Sequence, residues 1–199
     1  MSKQMWDQRY SAEEYIYGRE PNAFYSQELD KLKPGKILLP AEGEGRNAVY
    51  AAEKGWEALG FDQSEEGRRK GLLLAASRNV TITYQIQDLE TINCPDNHFD
   101  VLALIFVHTP ETKRQAIHRN LIRFLKPGGT LILEGFSKEQ LKYESGGPKE
   151  ISLLFSLEDI RSDFQSMKID FLEKMVVNLD DGGGHQGKGS VIRLVARAL

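Results

Sequence analysis

The sequence is poor in cysteine, has no long hydrophobic run and carries no strong excess of either charge. Cys94 is the only cysteine among 199 residues, which excludes an internal disulfide framework. No apolar stretch reaches the ~20 residues of a membrane-spanning helix, and the first residues lack the apolar core of a signal peptide. A net charge of −3 without a long basic run disfavours nucleic acids and membrane surfaces as partners. We therefore expect a cytoplasmic protein.

Metal-ligand and phosphate-loop patterns are missing as well. The histidines show no spacing typical of metal ligands, and Cys94 has no partner cysteine, so we predict no metal. The segment 182–188 is similar to a phosphate-binding loop, but Gly189 stands where that loop needs Ser or Thr. A strand pattern rather than a helix follows it, so no helix N-terminus is available to a phosphate. We interpret this segment as a mobile hairpin tip.

The composition that remains is typical of a globular protein, with 40% hydrophobic and 28% charged residues. A chain of this length can bury one full-sized core. It contains no repeat, low-complexity tract or linker. We therefore predict a single domain over residues 1–199, in which residues 1–34 form an aromatic-rich, helical to irregular N-terminal segment.

Strand and helix patterns alternate along the chain, and a hairpin pattern closes it. This alternation predicts a parallel sheet with helices on both faces, in which ligands bind beyond the carboxyl ends of the strands. Ser64 is expected to cap a helix that Gly67 and Gly71 weaken, and Ser156 with Asp159 resembles a capping box. The predicted strands are 36–40, 56–61, 80–84, 99–107, 130–133, 168–178 and 190–197.

The stretch 37–48 is the most informative part of the sequence. An apolar strand pattern enters a turn with glycines at Gly43 and Gly45 and leaves into an alanine-rich helix pattern. Glycine lets the main chain turn with positive φ and approach a ligand closely. The N–H groups that open the helix then point at that ligand. This arrangement predicts a nucleotide-like cofactor on the turn.

The charges of the turn bear on which cofactor it binds. Gly43, Gly45 and Ala48 follow the spacing of the dinucleotide fingerprint, and Asp62 lies where that fingerprint has a ribose-binding acid. A pyrophosphate would, however, meet the negative charges of Glu42 and Glu44. S-adenosylmethionine carries a positive sulfonium and no phosphate, so carboxylates near the turn favour it over a dinucleotide.

Five segments in chain order carry a resemblance to a known family: residues 41–47, 61–64, 87–89, 99–100 and 125–131. They resemble the motifs of the class I S-adenosylmethionine-dependent methyltransferases. Residues 45–47, 17–18 and 21–22 resemble the tellurite-resistance and thiopurine methyltransferase-like branch. The resemblance implies an α/β three-layer sandwich of the Rossmann-like methyltransferase type. Its seven-stranded, mostly parallel sheet has the order 3-2-1-4-5-7-6 with an antiparallel last strand, and the segment 1–34 covers the cofactor site.

The resemblance also implies S-adenosyl-L-methionine as cofactor, S-adenosyl-L-homocysteine as product, and a role for particular residues. Asp62 would accept the ribose hydroxyls, or merely cap a helix. Asp88 would accept the adenine amino hydrogen, with Leu89 against the ring, or be a surface residue. Asn47 would link the turn to the carboxylate of the ligand, or only cap the helix. The expected cofactor contacts are Tyr17, Ala41, Glu42, Gly43, Gly45, Asn47, Asp62, Gln63, Asp88, Leu89 and Ile105.

Two positions depart from the family pattern. Leu39 stands where the family usually has an acid, and Ala41 stands where it usually has a glycine. Ala41 would still allow close approach if its φ is negative. Glu42 is a candidate to replace the missing acid at the amine of the methionine moiety.

His108 directly follows the central strand, where the methyl group would be presented. It is the candidate catalytic residue that positions or deprotonates the acceptor, or else it is a histidine that is hydrogen-bonded in a turn before Pro110. The expected reaction is in-line methyl transfer to a small-molecule acceptor such as a thiol or an oxyanion. The alternatives are a small NAD(P)-dependent oxidoreductase and a non-catalytic binding module. The oligomeric state stays open.

Overall fold

The alternation of strands and helices is realised in the structure, a computed structural model that describes residues 2–199. Met1, the first residue of the predicted segment 1–34, lies outside the described residues. The chain divides into two units: one ends at Asn93 and also contains Asp181–Gly183, and the other consists of Cys94–Asp180 and Gly184–Leu199. The single domain over residues 1–199 stays a prediction.

The first unit contains the N-terminal segment and three parallel strands. Strand β1 pairs with β2, and β2 pairs with β3, all in parallel. Ile37, Leu38 and Leu39 are all buried, so both faces of β1 are covered. Helix α3 packs on β1 and β2. The elements are α1 (Lys3–Tyr10), α2 (Ala23–Leu29), β1 (Lys36–Pro40), α3 (Arg46–Glu53), β2 (Glu57–Asp62), α4 (Glu65–Ser77) and β3 (Thr83–Ile86).

The second unit contains the remaining strands. Strand β4 pairs with β5 in parallel, and β5 pairs with β7 antiparallel from Thr130↔Arg197 to Phe136↔Val191. The predicted capping box is present at Ser156 and Asp159. The elements are β4 (Phe99–Ile105), α5 (Glu111–Ile122), β5 (Leu125–Phe136), 3-10 turns at Lys138–Lys142 and Ile151–Leu153, α6 (Leu157–Asp163), β6 (Met167–Asp181), a 3-10 turn at Gly182–Gly184, and β7 (His185–Ala198).

The strands form one seven-stranded sheet in the order β3-β2-β1-β4-β5-β7-β6, flanked by helices. This order, mostly parallel with β7 antiparallel to β5, confirms the predicted fold. Most strand boundaries differ from the prediction: β2 is Glu57–Asp62 rather than 56–61, β3 is Thr83–Ile86 rather than 80–84, and β4 ends at Ile105 rather than at residue 107. The segment 126–129, expected as a turn before a strand, lies within β5, whose pairing with β4 shifts register between Phe99 and Val101. The closing hairpin is also longer than predicted, because β6 runs to Asp181 and β7 begins at His185.

Two features are absent from the described residues. Across residues 2–199, no helix combines the length and apolarity that crossing a bilayer requires. The same residues contain no group of three or more His, Cys, Asp or Glu side chains that could hold a metal ion.

Candidate functional site

The turn after β1 is built from left-handed backbone conformations. Ala41, Gly43 and Gly45 have φ values of +49°, +61° and +88°. The condition of a negative φ at Ala41 is therefore not met, and Ala41 holds a conformation that costs an L-residue roughly 1–2 kcal/mol. A Cβ on Gly43 would lie 2.7 Å from the Tyr10 hydroxyl, and one on Gly45 would lie 2.5 Å from the Gly71 Cα. Only glycine fits these two positions.

Helix α4 contributes two glycines, Gly67 and Gly71, to its contact with the turn and with Tyr84. A Cβ on Gly67 would lie 2.7 Å from the Gly43 carbonyl oxygen, and one on Gly71 would lie 3.0 Å from the Tyr84 ring. These residues lower the helix propensity of α4. They also let the helix approach the turn more closely than any side chain would allow. The structure thus gives a reason for two residues that looked unfavourable in the sequence.

Asp62, the last residue of β2, fixes the position of Gly43. Its Oδ2 accepts the Gly43 N–H at 3.1 Å, and its Oδ1 accepts the Ser64 N–H at 2.9 Å. The Gly43 carbonyl in turn accepts the Tyr84 hydroxyl at 2.5 Å. Burial raises the pKa of Asp62, and these backbone donors oppose that rise. The Gln63 N–H also donates to Asp62. Since a carboxylate has about four acceptor sites, Asp62 retains room for a further donor such as a ligand hydroxyl at the carboxyl end of its strand.

Glu42 is directed into the protein. Its Oε1 accepts the Ala48 N–H at 2.7 Å, and Asn47 also donates to its carboxylate. The side chain therefore satisfies N–H groups at the start of α3, whose N-cap Gly45 has no side chain to do so. Burial raises the pKa of Glu42 to about 7, against the lowering effect of these hydrogen bonds. The role of Glu42 in place of the acid that the family usually has at position 39 stays a prediction.

Glu44 forms a buried ion pair with Lys70. Its Oε1 lies 2.6 Å from Lys70 Nζ, and both side chains are 3% exposed. The same Nζ donates to the carbonyls of Ala12 and Glu14, and Glu44 Oε2 accepts the Tyr17 N–H at 3.4 Å. Both Glu42 and Glu44 therefore support the turn or the N-terminal segment. The cofactor contact expected of Glu42 stays a prediction.

Arg46 and Asn47, the first residues of α3, also hold the N-terminal segment. Arg46 Nη1 donates to the Tyr17 carbonyl at 2.9 Å and to Asp181 Oδ1 at 2.8 Å. Asn47 Oδ1 accepts the Asn22 N–H at 3.0 Å. Asn47 therefore links the turn to α2, a role that neither of its expected functions included. Its contact with a ligand carboxylate stays a prediction.

Asp88 and Leu89 follow β3. The Asp88 side chain is exposed, its Oδ1 accepts the Glu90 N–H at 2.7 Å, and its carbonyl accepts from Thr91 and Ile92. The Gln87 N–H donates to the Asp62 carbonyl, which brings this loop to the end of β2. Leu89 and Gln63 are half-buried. An adenine contact of Asp88 and Leu89 stays a prediction, and Asp88 already has a structural role in the turn.

The end of β4 lies in the second unit and also has a left-handed residue. Ile105, half-buried, ends the strand, and Phe106 follows it with a φ of +54°. The Phe106 N–H donates to the Glu134 carbonyl at 2.7 Å. Positive φ is uncommon for a bulky residue, and such outliers cluster at functional sites. The location agrees with the ligand-binding end of parallel strands.

His108 has both ring nitrogens engaged. Its Nδ1 lies 2.8 Å from the Leu153 carbonyl, and its Nε2 accepts the Phe136 N–H at 3.1 Å. Since Phe136 N–H can only donate, the proton of the neutral ring must be on Nδ1. Burial lowers the pKa of His108 to about 4. These contacts fit the hydrogen-bonded histidine of the sequence analysis and do not support the expected general base.

Aromatic rings surround this part of the second unit. The Phe106 ring centroid lies 4.4 Å from that of His185 and 4.7 Å from that of Phe136. His108 stacks between Phe136 and Phe155, at centroid distances of 5.8 Å and 4.8 Å. The sequence analysis missed these partners because they are distant along the chain. It missed Tyr10, Lys70, Tyr84 and Asp181 for the same reason.

Comparisons with known proteins bear on the same region. Residues 37–129 match the family described as methyltransferase domain. The chain is 32% identical over 123 residues to the ubiquinone/menaquinone biosynthesis C-methyltransferase UbiE of Shewanella sp. (strain ANA-3). That alignment covers 58% of this chain and 49% of the relative, so the chain spans about half the length of the curated relatives that it matches.

Two solved structures cover nearly the whole chain. TehB from Haemophilus influenzae has a TM-score of 0.73 at 16% identity, over 99% of this chain and 67% of that chain. The N-methyltransferase NodS from Bradyrhizobium japonicum WM9, in complex with S-adenosyl-L-homocysteine, has a TM-score of 0.74 at 12% identity, over 98% and 97%. This likeness shows the Rossmann-like methyltransferase fold. The match to a methyltransferase domain over residues 37–129 agrees with the predicted S-adenosylmethionine cofactor.

Proposed function

We propose that this chain transfers a methyl group from S-adenosylmethionine to a small-molecule acceptor by in-line displacement. The main support for the proposal is the hydrogen bond from the Gly43 N–H to Asp62. This bond holds a carboxylate that can accept a further hydrogen bond beside the glycine turn. The match to a methyltransferase domain over residues 37–129 supports the same assignment. The likeness to TehB and residues 45–47 support membership of the tellurite-resistance and thiopurine methyltransferase-like branch.

The residues fit the cofactor better at its ribose than at its methionine end. Asp62 would accept the ribose hydroxyls, and the main chain at Ala41, Gly43 and Gly45 would lie against the ligand. At the other end, Leu39 has no carboxylate, and Glu42 Oε1 already accepts the Ala48 N–H. Main-chain carbonyls of the turn would help to bind the ligand amine, and a contact of Ile105 with the cofactor stays a prediction. Tyr17, Gln63, Asp88 and Leu89 complete the proposed cofactor contacts.

The proposed acceptor is one that needs no strong base. When bound, S-adenosylmethionine supplies an electrophilic methyl carbon on its sulfonium. His108 is neutral and engaged at both ring nitrogens, so it cannot take a proton without losing the Phe136 N–H. A thiolate or an oxyanion attacks without prior proton loss. For such an acceptor, this chain would orient the reactants and exclude water.

Calorimetry with S-adenosyl-L-homocysteine and an analogue that lacks both ribose hydroxyls tests the site. Hydrogen bonds to a charged group are worth about 1.5–3 kcal/mol, so the analogue should bind at least about tenfold more weakly. Asp62→Asn should shrink this difference, whereas the control Asp96→Asn, an exposed acid in the second unit, should leave it unchanged. Binding of a nicotinamide dinucleotide but of neither sulfur compound would overturn the proposal and favour the oxidoreductase.

A screen of thiols and oxyanions with methyl-labelled cofactor tests the reaction. Transfer of label to any of them supports a methyltransferase. Tight cofactor binding without transfer to any acceptor would instead favour the non-catalytic binding module, a reading that Leu39 in place of the usual acid keeps open.

A further inference from the structure

Arg46 is a buried charge of the first unit that contacts two chain segments far apart in the sequence, residues 17–20 and Asp181. Its guanidinium is 8% exposed and forms an ion pair with Asp181, which is 10% exposed. The same Nη1 donates to the Tyr17 carbonyl at 2.9 Å and lies 3.4 Å from the Glu20 carbonyl. Arg46 is the first residue of α3 and directly follows the glycine turn. It therefore connects the glycine turn both to the N-terminal segment and to Asp181.

Stability alone is a weak reason for such a pair. Taking two charges out of water costs several kcal/mol per ion, and well-packed apolar replacements are often equally stable. A buried ion pair whose guanidinium also donates hydrogen bonds to backbone carbonyls does, however, fix the positions of those carbonyls. The Tyr17 carbonyl is held by Arg46 and the Tyr17 N–H by Glu44, so both peptide groups of Tyr17 depend on side chains from residues 44–46.

The hairpin turn meets the N-terminal segment independently of the ion pair. Gly18 and Gly182 have φ values of +74° and +60° and face each other. A Cβ on Gly182 would lie 2.5 Å from the Gly18 nitrogen and 2.8 Å from the Ile16 carbonyl oxygen. The two backbones therefore touch at a distance that only glycine allows. The glycine-rich segment expected to be a mobile tip is anchored at this residue, whereas Gly183 beside it faces open space.

We propose that Arg46 and Asp181 are positioning residues that hold Tyr17 and the hairpin turn 181–183 in the conformation that binds cofactor. The inference rests on the proposed function, in which Tyr17 covers the cofactor. Neither Arg46 nor Asp181 needs to touch the ligand. Their effect on affinity follows from the fraction of molecules in which the segment around Tyr17 is closed, because apparent affinity falls in proportion to that fraction.

Arg46→Met, Asp181→Leu and the double variant separate positioning from stability. Each single variant leaves a buried charge without its partner and should lower the melting temperature, and the double variant should recover most of that loss. If the pair positions Tyr17, the double variant should still bind S-adenosyl-L-homocysteine at least about tenfold more weakly, as expected when one molecule in ten is closed. Recovery of both stability and affinity would overturn the proposal.

Gly182→Ala and Gly183→Ala provide a matched pair that leaves every charge in place. The first should open the contact with Gly18 and weaken binding, and the second should change neither. Equal affinities in the two variants would contradict the proposal.

Hydrogen exchange of residues 12–20 gives a readout that needs no cofactor. Exchange at Tyr17 and Gly18 should be faster in the double variant and in Gly182→Ala than in the wild type, and unchanged exchange would overturn the inference. A wild-type protein that binds neither S-adenosylmethionine nor its product would count against the proposed function. The exchange data would then still decide whether Arg46 and Asp181 hold the segment.

Discussion

The turns that follow β1 and β4 begin alike and are then stabilised in opposite ways. Each leaves its strand through a non-glycine residue with positive φ, Ala41 at +49° and Phe106 at +54°. Each then buries a titratable group, Glu42 or His108, whose pKa is shifted toward the neutral form by loss of water. The shared beginning reflects the need to turn the chain sharply at the carboxyl end of a strand.

The difference lies in what surrounds the two buried groups. The turn after β1 is held by charged side chains, in the pairs Glu44–Lys70 and Arg46–Asp181. At the end of β4, rings of Phe136 and Phe155 enclose His108. The two ion pairs are buried, so they fix the shape of the turn after β1 and the segments that it contacts. The rings around His108 instead fix a neutral imidazole by packing and by hydrogen bonds to both of its nitrogens.

The largest loss of stability that we predict comes from adding a methyl group where the turn after β1 touches α4. Gly45→Ala should reduce the free energy of unfolding by roughly 3 kcal/mol, since left-handed strain costs about 1–2 kcal/mol and overpacking a further 1–3. The new Cβ would lie 2.5 Å from the Gly71 Cα, which is backbone and cannot move aside. Urea unfolding followed by circular dichroism measures the loss.

Gly128→Ala is the control for this substitution. Gly128 has a φ of +77° and open space where a Cβ would be, so only the strain of about 1–2 kcal/mol should appear. Equal losses in the two variants would mean that the contact between the turn and α4 is looser than its geometry indicates.

The next prediction uses the opposite pH responses of the two buried groups. Glu42 has a pKa raised from 4.5 to about 7, so its contribution to stability is present below pH 4.5 and is lost as pH rises through 7. His108 has a pKa lowered from 6.5 to about 4, so its contribution is present above pH 6.5 and is lost as pH falls through 4. Between pH 4.5 and 6.5 each changes the free energy of unfolding by about 2 kcal/mol, in opposite directions. The two contributions should cancel in the wild type.

Replacing one of the two side chains should make the pH dependence contributed by the other measurable. From pH 4.5 to 6.5, the stability of Glu42→Gln should rise by about 2 kcal/mol more than that of the wild type, and the stability of His108→Gln should fall by about 2 kcal/mol relative to it. Urea titrations at several pH values measure both slopes. Parallel curves for all three proteins would show that the two side chains titrate as they do in the unfolded chain.

These residues also mark the limit of what the sequence could predict. The parallel sheet with flanking helices follows from the alternation of patterns, which depends on local periodicity and on the rules of parallel connection. The strand order was predicted only through the resemblance to the methyltransferase family. The glycine turn and Asp62 follow from local spacing in the same way. The direction of the Glu42 side chain does not, because it depends on the N–H groups of a helix formed later in the chain. The partners of Glu44 and Arg46, which are Lys70 and Asp181, are likewise brought near only by the folded chain.

The smallest predicted effect comes from replacing each of the two left-handed residues, Ala41 and Phe106, by glycine. Ala41→Gly should stabilise the protein by about 0.5–1 kcal/mol, because relief of about 1–2 kcal/mol of strain exceeds the added flexibility of the unfolded chain, about 0.5–1 kcal/mol. The same substitution at Phe106 should not stabilise, since it removes a ring that packs 4.4 Å from His185 and 4.7 Å from Phe136. Thermal unfolding of the two variants beside the wild type measures the difference. A gain at both positions would mean that the Phe106 ring contributes less than its strain costs, and a loss at Ala41 would mean that its methyl group packs better in the turn than an alanine in left-handed backbone should.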